Sequence, residues 1–202
     1  GREVRIGLLP LTGNPLTWGH ILIALMGINI LDLDFVVYRV QGEIKYKDLP
    51  ESDRVPAKER HENIKEIIKG LYPLVQYTDL GSEPNNEREG ADEMYRFLEM
   101  NADKKLHIFY MLGIENEARV RKYIRQQLEF AKEYKFGNNP NHCLSVAFIQ
   151  RGEFGALMNN QMLQAMGKEI AKQVDDSDIL PLLVNMLVVK DPDIDLNVSS
   201  TY

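Results

Sequence analysis

The chain has 202 residues, of which 44% are hydrophobic and 27% are charged, a composition typical of a globular protein that builds its core without disulfides or metals. A single cysteine, Cys143, excludes an intramolecular disulfide and favours a reducing compartment, so we expect a cytoplasmic protein. The formal net charge of −6 argues against an extended nucleic-acid surface. The sequence has no apolar run of about 18 residues and no signal-peptide pattern, so we expect no membrane span.

Short apolar runs alternate with longer amphipathic segments along the whole sequence. In chain order, strands are predicted at residues 4–9, 33–40, 74–78, 107–112, 144–149 and 182–189. Helices are predicted from residue 18 onward and at residues 57–71, 91–101, 116–135 and 153–174. This alternation indicates one α/β domain over residues 1–202, with a doubly wound, mainly parallel sheet that helices cover on both faces. Ligands of such sheets bind beyond the carboxyl ends of the strands.

The loop after the first predicted strand reads N-P-L-T-W-G-H at residues 14–20 and leads directly into a helix. The unpaired N–H groups and the positive dipole at a helix N-terminus favour phosphate as a ligand. Gly19 lets the backbone pass close to a phosphate, Thr17 adds a hydroxyl donor, and His20 can donate through Nε2 to a polyphosphate oxygen. A lone histidine in this place would more often be a core residue, but the whole seven-residue pattern predicts a phosphate site.

This segment resembles the T/HxGH signature of the nucleotidylyltransferase superfamily, in which N-P-x-T-x-x-H or D-P-x-T-x-G-H follows the first strand. The resemblance implies a Rossmann-like nucleotidyltransferase fold, with Thr17 and His20 as the catalytic residues. It also implies a set of nucleotide-binding residues from the same stretch of chain, namely Leu11, Thr12, Asn14 and Gly19.

The segment V-S-S-T at residues 198–201 resembles the first four positions of I-S-S-T-x-x-R, the second signature of this superfamily. Its hydroxyls would cap a helix and turn the helix N–H groups toward the triphosphate. The resemblance therefore adds three residues to the nucleotide site, Ser199, Ser200 and Thr201. The arginine of the signature would come after Tyr202, so we expect the domain to lack its C-terminal helical segment.

Two further segments resemble the nicotinate or nicotinamide mononucleotide adenylyltransferases within this superfamily. Residues 111–116 resemble a G-A-D turn in which glutamate replaces aspartate, and residues 148–152 resemble a strand that ends in R-P-G. The resemblance implies four acceptor-binding residues: Gly113, Glu115, Tyr123 and Arg151. The acceptor side matches less closely than the nucleotide side, because a tyrosine stands for the family's tryptophan and no S-Y-T segment precedes the helix near residue 91.

The resemblance implies transfer of AMP from ATP to the phosphate of nicotinate or nicotinamide mononucleotide, with release of pyrophosphate and formation of a dinucleotide for NAD biosynthesis. Mg²⁺ is expected to enter with ATP, the partners are small molecules, and no metal site of the protein's own is predicted. Two alternatives stay open: a cytidylyltransferase or phosphopantetheine adenylyltransferase of the same superfamily, and a catalytically degenerate homologue that binds nucleotide. A homo-oligomer is also left open. Outside these motifs, Lys58 and Arg60 form a small basic patch, for which a solvated helix face is the favoured interpretation and contact with a phosphate is the alternative.

Overall fold

The computed structural model describes residues 1–42, 50–79, 87–114, 116–133, 138–150, 158–174 and 186–189. The chain forms two compact units. The first, which we call the N-terminal unit, runs from Arg5 to Met100. The second, the C-terminal unit, contains Gly1–Val4 together with the described residues between Asn101 and Val189.

The N-terminal unit alternates strands and helices in the order that the sequence predicts. Its elements are β1 (Val4–Leu11), α1 (Trp18–Leu31), β2 (Phe35–Val40), α2 (Ala57–Ile68), β3 (Val75–Thr78) and α3 (Glu87–Met100). The strands are parallel in the order β3-β2-β1, with Ile6 opposite Phe35 and Val36 opposite Val75. Short 3-10 turns at Glu51–Asp53 and Lys69–Leu71 flank α2.

The C-terminal unit continues the same alternation. Its elements are β4 (Leu106–Ile114), α4 (Glu117–Glu133), β5 (His142–Gln150), α5 (Asn160–Val174) and β6 (Met186–Val189). The strands are again parallel, in the order β4-β5-β6, with Leu106 opposite His142 and Val146 opposite Met186. The predicted parallel α/β arrangement is thus confirmed in both units.

Helix α1 is fixed at both ends, which matters because its first turn carries the predicted phosphate site. Thr17 is the N-cap residue and has extended backbone angles, φ −112° and ψ 163°. At the other end, Asp32 adopts the left-handed conformation, with φ 52°. The guanidinium of Arg5 donates to the carbonyls of Leu31 and Asp32, which gives these two carbonyls at the end of α1 a hydrogen-bond donor.

Among the predicted strand ends that differ from the structure, two had been set at a proline and a glycine. Strand β1 does not stop at Pro10 but continues to Leu11, which pairs with Val40 of β2. Strand β4 does not stop before Gly113 either, because Gly113 lies within it, opposite Ile149 of β5. Glycine was interpreted as a strand breaker, but pairing with β5 is sufficient to keep it extended.

Candidate functional site

The loop between β1 and α1 brings Thr17 and His20 together at the start of the helix. The backbone N–H of Thr17 donates to Nδ1 of His20 at 3.0 Å, and the hydroxyl of Thr17 lies 3.0 Å from the same nitrogen. Because a backbone N–H can only donate, Nδ1 must act as the acceptor, so the proton of the neutral imidazole lies on Nε2. This tautomer gives His20 the Nε2 donor that the sequence predicts for a phosphate.

The first turn of α1 is suited to an anion. The N–H groups of Trp18 and Gly19, its first two residues, have no carbonyl within the helix to bind, and the dipole makes this end positive. The turn contains no acidic residue that would neutralise that charge. Trp18, the only tryptophan of the chain, is 78% exposed beside these groups.

Tyr38 of β2 is hydrogen-bonded to this turn, and it was not among the site residues predicted from the sequence. Its hydroxyl donates to the carbonyl of His20 at 2.8 Å, and its side chain is fully buried. Burial raises the pKa of Tyr38, so the phenol stays protonated and remains a donor. A signal was present, because Val36, Tyr38 and Val40 form the buried face of β2 and a buried phenol needs a partner.

The upstream half of the loop packs tightly against α2. Gly13 has a φ of +66°, and a Cβ atom at this position would lie 2.4 Å from Cδ1 of Ile64. Glycine is favoured here, because any side chain would be strained at this backbone angle and would displace Cδ1 of Ile64. The side chain of Leu11 is buried, and its carbonyl accepts the N–H of Gln41 at 2.9 Å. The hydroxyl of Thr12 lies 3.2 Å from Oε1 of Gln41.

Asn14 connects the loop to the segment before α2. Its Nδ2 donates to the carbonyl of Asp53 at 3.0 Å, and its Oδ1 accepts the N–H of Val55 at 2.9 Å. Both ends of the amide therefore bind backbone, as in a turn-stabilising asparagine. The structure thus gives Asn14 a role in shaping the loop, and its predicted contact with nucleotide stays a prediction.

Arg60 of α2 does not lie on a solvated face, contrary to the expectation from sequence. Its side chain is 1% exposed, whereas Lys58 is exposed. The guanidinium donates to the carbonyls of four residues from the N-terminal unit, Thr12, Gln41, Gly42 and Val55. The signal was the spacing of Arg60, Ile64 and Ile68, all buried, which places them on one helix face at intervals of four.

His61 is also buried and shares an acceptor with Arg60. Its Nε2 lies 3.2 Å from the carbonyl of Gln41, and its Nδ1 is hydrogen-bonded to the hydroxyl of Tyr77. The pKa of His61 lies below its usual value, mainly because the side chain is buried. Burial, followed by the charge of Asp79, raises the pKa of Tyr77 to about 12. Near neutral pH, Nε2 of His61 therefore donates to Gln41 while Nδ1 accepts from Tyr77.

Six predicted residues lie between the end of β1 and the first turn of α1: Leu11, Thr12, Asn14, Thr17, Gly19 and His20. Two predicted acceptor residues lie in the C-terminal unit, Gly113 in β4 and Tyr123 on α4, where Tyr123 packs partly buried against the apolar core. The others lie outside the described residues, namely Glu115, Arg151, Ser199, Ser200 and Thr201.

Among the residues that the structure describes, no helix combines the length and the apolar character that a membrane crossing needs. In the same part of the chain, no three or more histidine, cysteine, aspartate or glutamate side chains are grouped so that they could hold a metal ion.

No protein-family model and no curated protein sequence matches the chain. Solved structures do. The chain is similar to Plasmodium falciparum nicotinic acid mononucleotide adenylyltransferase in complex with APC, with a TM-score of 0.60, 14% identity, and coverage of 98% of this chain and 81% of that one. The same enzyme in complex with NaAD gives a TM-score of 0.59, 14% identity, and coverage of 95% and 77%. This chain therefore has the Rossmann-like fold of the nucleotidyltransferases, as its T-W-G-H loop predicts.

Proposed function

We propose that the chain is a nucleotidyltransferase that transfers AMP from ATP to the phosphate of nicotinate or nicotinamide mononucleotide. The products would be pyrophosphate and a dinucleotide used in NAD biosynthesis. The observation that carries the proposal is the Thr17–His20 contact, which presents a defined Nε2 donor at the positive end of α1. The likeness to an adenylyltransferase structure with NaAD supports this choice of acceptor.

The reaction needs no protein nucleophile. A phosphate oxygen of the acceptor attacks the α-phosphorus of ATP in line, a new P–O bond forms, and the bond to the bridging oxygen of the β-phosphate breaks. Pyrophosphate leaves with that electron pair, so the protein has to position the groups and stabilise the charge. Mg²⁺ enters as part of the Mg–ATP substrate and offsets the charge of the phosphates.

His20 and Thr17 have separate roles in this proposal. Nε2–H of His20 donates to the β- and γ-phosphates as negative charge moves onto the leaving group. The Thr17 hydroxyl contacts the α-phosphate region, and the N–H of Gly19 contacts a phosphate oxygen. Tyr38 supports this arrangement, because its hydroxyl donates to the carbonyl of His20 in the first turn of α1.

The remaining predicted residues complete the proposal. Ser199, Ser200 and Thr201 would hold the outer phosphates. Gly113, Glu115, Tyr123 and Arg151 would contact the acceptor. A cytoplasmic location, the absence of nucleic-acid partners and the oligomeric state stay predictions.

The deciding experiment measures pyrophosphate release from ATP or CTP in the presence of Mg²⁺ and one acceptor at a time. The acceptors are nicotinate mononucleotide, nicotinamide mononucleotide and phosphopantetheine. We expect turnover with ATP and a pyridine mononucleotide. Turnover only with CTP in place of ATP would identify a cytidylyltransferase instead. Turnover with ATP only when phosphopantetheine is the acceptor would identify a phosphopantetheine adenylyltransferase. Calorimetric binding of Mg–ATP without turnover on any acceptor would identify a nucleotide-binding homologue instead.

A further inference from the structure

Arg60 occupies a central place in the N-terminal unit that the proposed chemistry does not use. Its buried guanidinium contacts three separate stretches of backbone. These are the start of the β1–α1 loop at Thr12, the exit of β2 at Gln41 and Gly42, and the segment before α2 at Val55. In a parallel sheet these positions lie where ligands bind, beyond the carboxyl ends of adjacent strands.

Arg60 and Asn14 both bind the backbone of Val55. Arg60 Nε donates to the carbonyl of Val55 at 2.9 Å, while the backbone N–H of Val55 donates to Asn14 Oδ1 at 2.9 Å. Arg60 also holds the carbonyl of Thr12, one residue before Gly13. The loop is therefore held on both sides of Gly13, whose positive φ sets the direction of the chain toward α1.

Ile64, one turn after Arg60 on α2, completes the support. Its Cδ1 lies where a Cβ atom at position 13 would be, so α2 contacts the loop through both the apolar side chain of Ile64 and the guanidinium of Arg60. A lysine could not replace Arg60, because a single ammonium lacks the planar fork that reaches carbonyls in several directions. Without those donors the carbonyls of Thr12, Gly42 and Val55 would lose the hydrogen bonds that Arg60 provides, and the loop would rearrange to recover partners.

We propose that Arg60 is a positioning residue for the nucleotide site, because its guanidinium holds the β1–α1 loop in the conformation that presents Thr17 and His20. This inference rests on the proposed function for its link to nucleotide. The link to loop conformation can be measured without any ligand.

The test compares Arg60→Lys with Arg5→Lys. Arg5 is a matched control, because its guanidinium also donates to backbone carbonyls but does so at the far end of α1, at Leu31 and Asp32. Amide hydrogen exchange reports the conformation of residues 12–20, and calorimetry reports the Kd of Mg–ATP. Steady-state kinetics with ATP and a pyridine mononucleotide separates KM from kcat.

We expect both variants to lose thermal stability, but only Arg60→Lys to speed exchange in residues 12–20. In that variant the Kd and the KM for ATP should rise about tenfold or more, which corresponds to about 1.4 kcal/mol, while Arg5→Lys stays close to wild type. Such a difference separates a role in the site from a general loss of stability.

Three results would overturn the inference. Unchanged exchange and unchanged Mg–ATP binding in Arg60→Lys would show that the loop does not depend on this side chain. Equal effects in Arg5→Lys would assign the change to global stability. If Arg60→Lys and Arg60→Met are both unfolded at low temperature, the residue serves the whole fold and not this loop. If wild type binds no Mg–ATP, the proposed function fails, and faster exchange confined to Arg60→Lys would still support the positioning of the loop.

Discussion

Replacing His20 with asparagine separates the two roles of one imidazole. Nδ1 of His20 accepts the N–H of Thr17 and thereby caps α1, while Nε2 is the proposed donor to phosphate. An asparagine carries its carbonyl oxygen about as far along the side chain as Nδ1, so it keeps the cap and loses the donor. A glutamine extends about as far as Nε2 and can restore a donor at that point.

The two losses have different magnitudes and different readouts. Loss of a helix cap costs about 0.5–2 kcal/mol. In a chain of this size each kcal/mol lowers Tm by about 2–4 °C. Loss of a transition-state donor lowers kcat by about 10²- to 10³-fold, or about 2.7–4 kcal/mol of activation free energy. His20→Ala should show both effects, His20→Asn only the loss of kcat, and His20→Gln should recover part of the rate.

Thermal denaturation and pyrophosphate release measure these two effects on the same samples. His142→Asn is the control, because His142 lies in the C-terminal unit, with its Nε2 3.1 Å from the carbonyl of Asn101. If His20→Asn turns over at the wild-type rate, Nε2 is not the donor and the proposed role of His20 is wrong. If His20→Asn is as unstable as His20→Ala, the capping role of Nδ1 is wrong.

Three other changes test the support of the loop. Gly13→Ala should lower Tm, since the left-handed angle costs about 1–2 kcal/mol. The new Cβ would also displace Cδ1 of Ile64, so a Tm equal to wild type would refute the strain assigned to Gly13. Tyr38→Phe should cost about 0.5–1.5 kcal/mol, because the carbonyl of His20 loses its phenol donor but keeps its hydrogen bond within the helix. Urea denaturation measures this loss, and unchanged stability would contradict it. Burial lowers the pKa of His61 in the folded protein below 6.5. As the pH falls, this imidazole is therefore protonated at a higher pH in the unfolded chain than in the folded one, and stability is lost below about pH 6.5. A decrease in Tm between pH 7.5 and 5.5 should be smaller in His61→Gln, and equal decreases would exclude His61 as the cause.

The sequence was sufficient for the parts of the site that depend on neighbours along the chain. Thr17 and His20 are three residues apart at a helix start, and this spacing alone places their side chains together. The parallel strands could also be predicted, because buried runs of this length have few other solutions. These are local patterns, and the structure confirms the fold that they indicate.

The sequence was not sufficient for the contacts that join distant residues. Arg60 meets a carbonyl 48 positions before it, and Tyr38 meets one 18 positions before it. Backbone carbonyls are present at every residue, so no residue type marks the acceptor. The spacing of Arg60 with Ile64 and Ile68 predicts burial of Arg60, but it does not predict which segments the guanidinium holds.

The acceptors of Arg60 have a consequence for how such sequences diverge. All four are main-chain oxygens, so substitutions at Gln41 or Val55 leave the acceptor atom in place. Most residues around this loop can therefore be substituted during evolution while the hydrogen bonds that shape the loop persist. Selection would be concentrated on the donor Arg60 and on Gly13, where the positive φ strains any other side chain. A loop shaped by such contacts tolerates wide change in sequence, and the fold of this chain is similar to that of a solved structure at 14% identity.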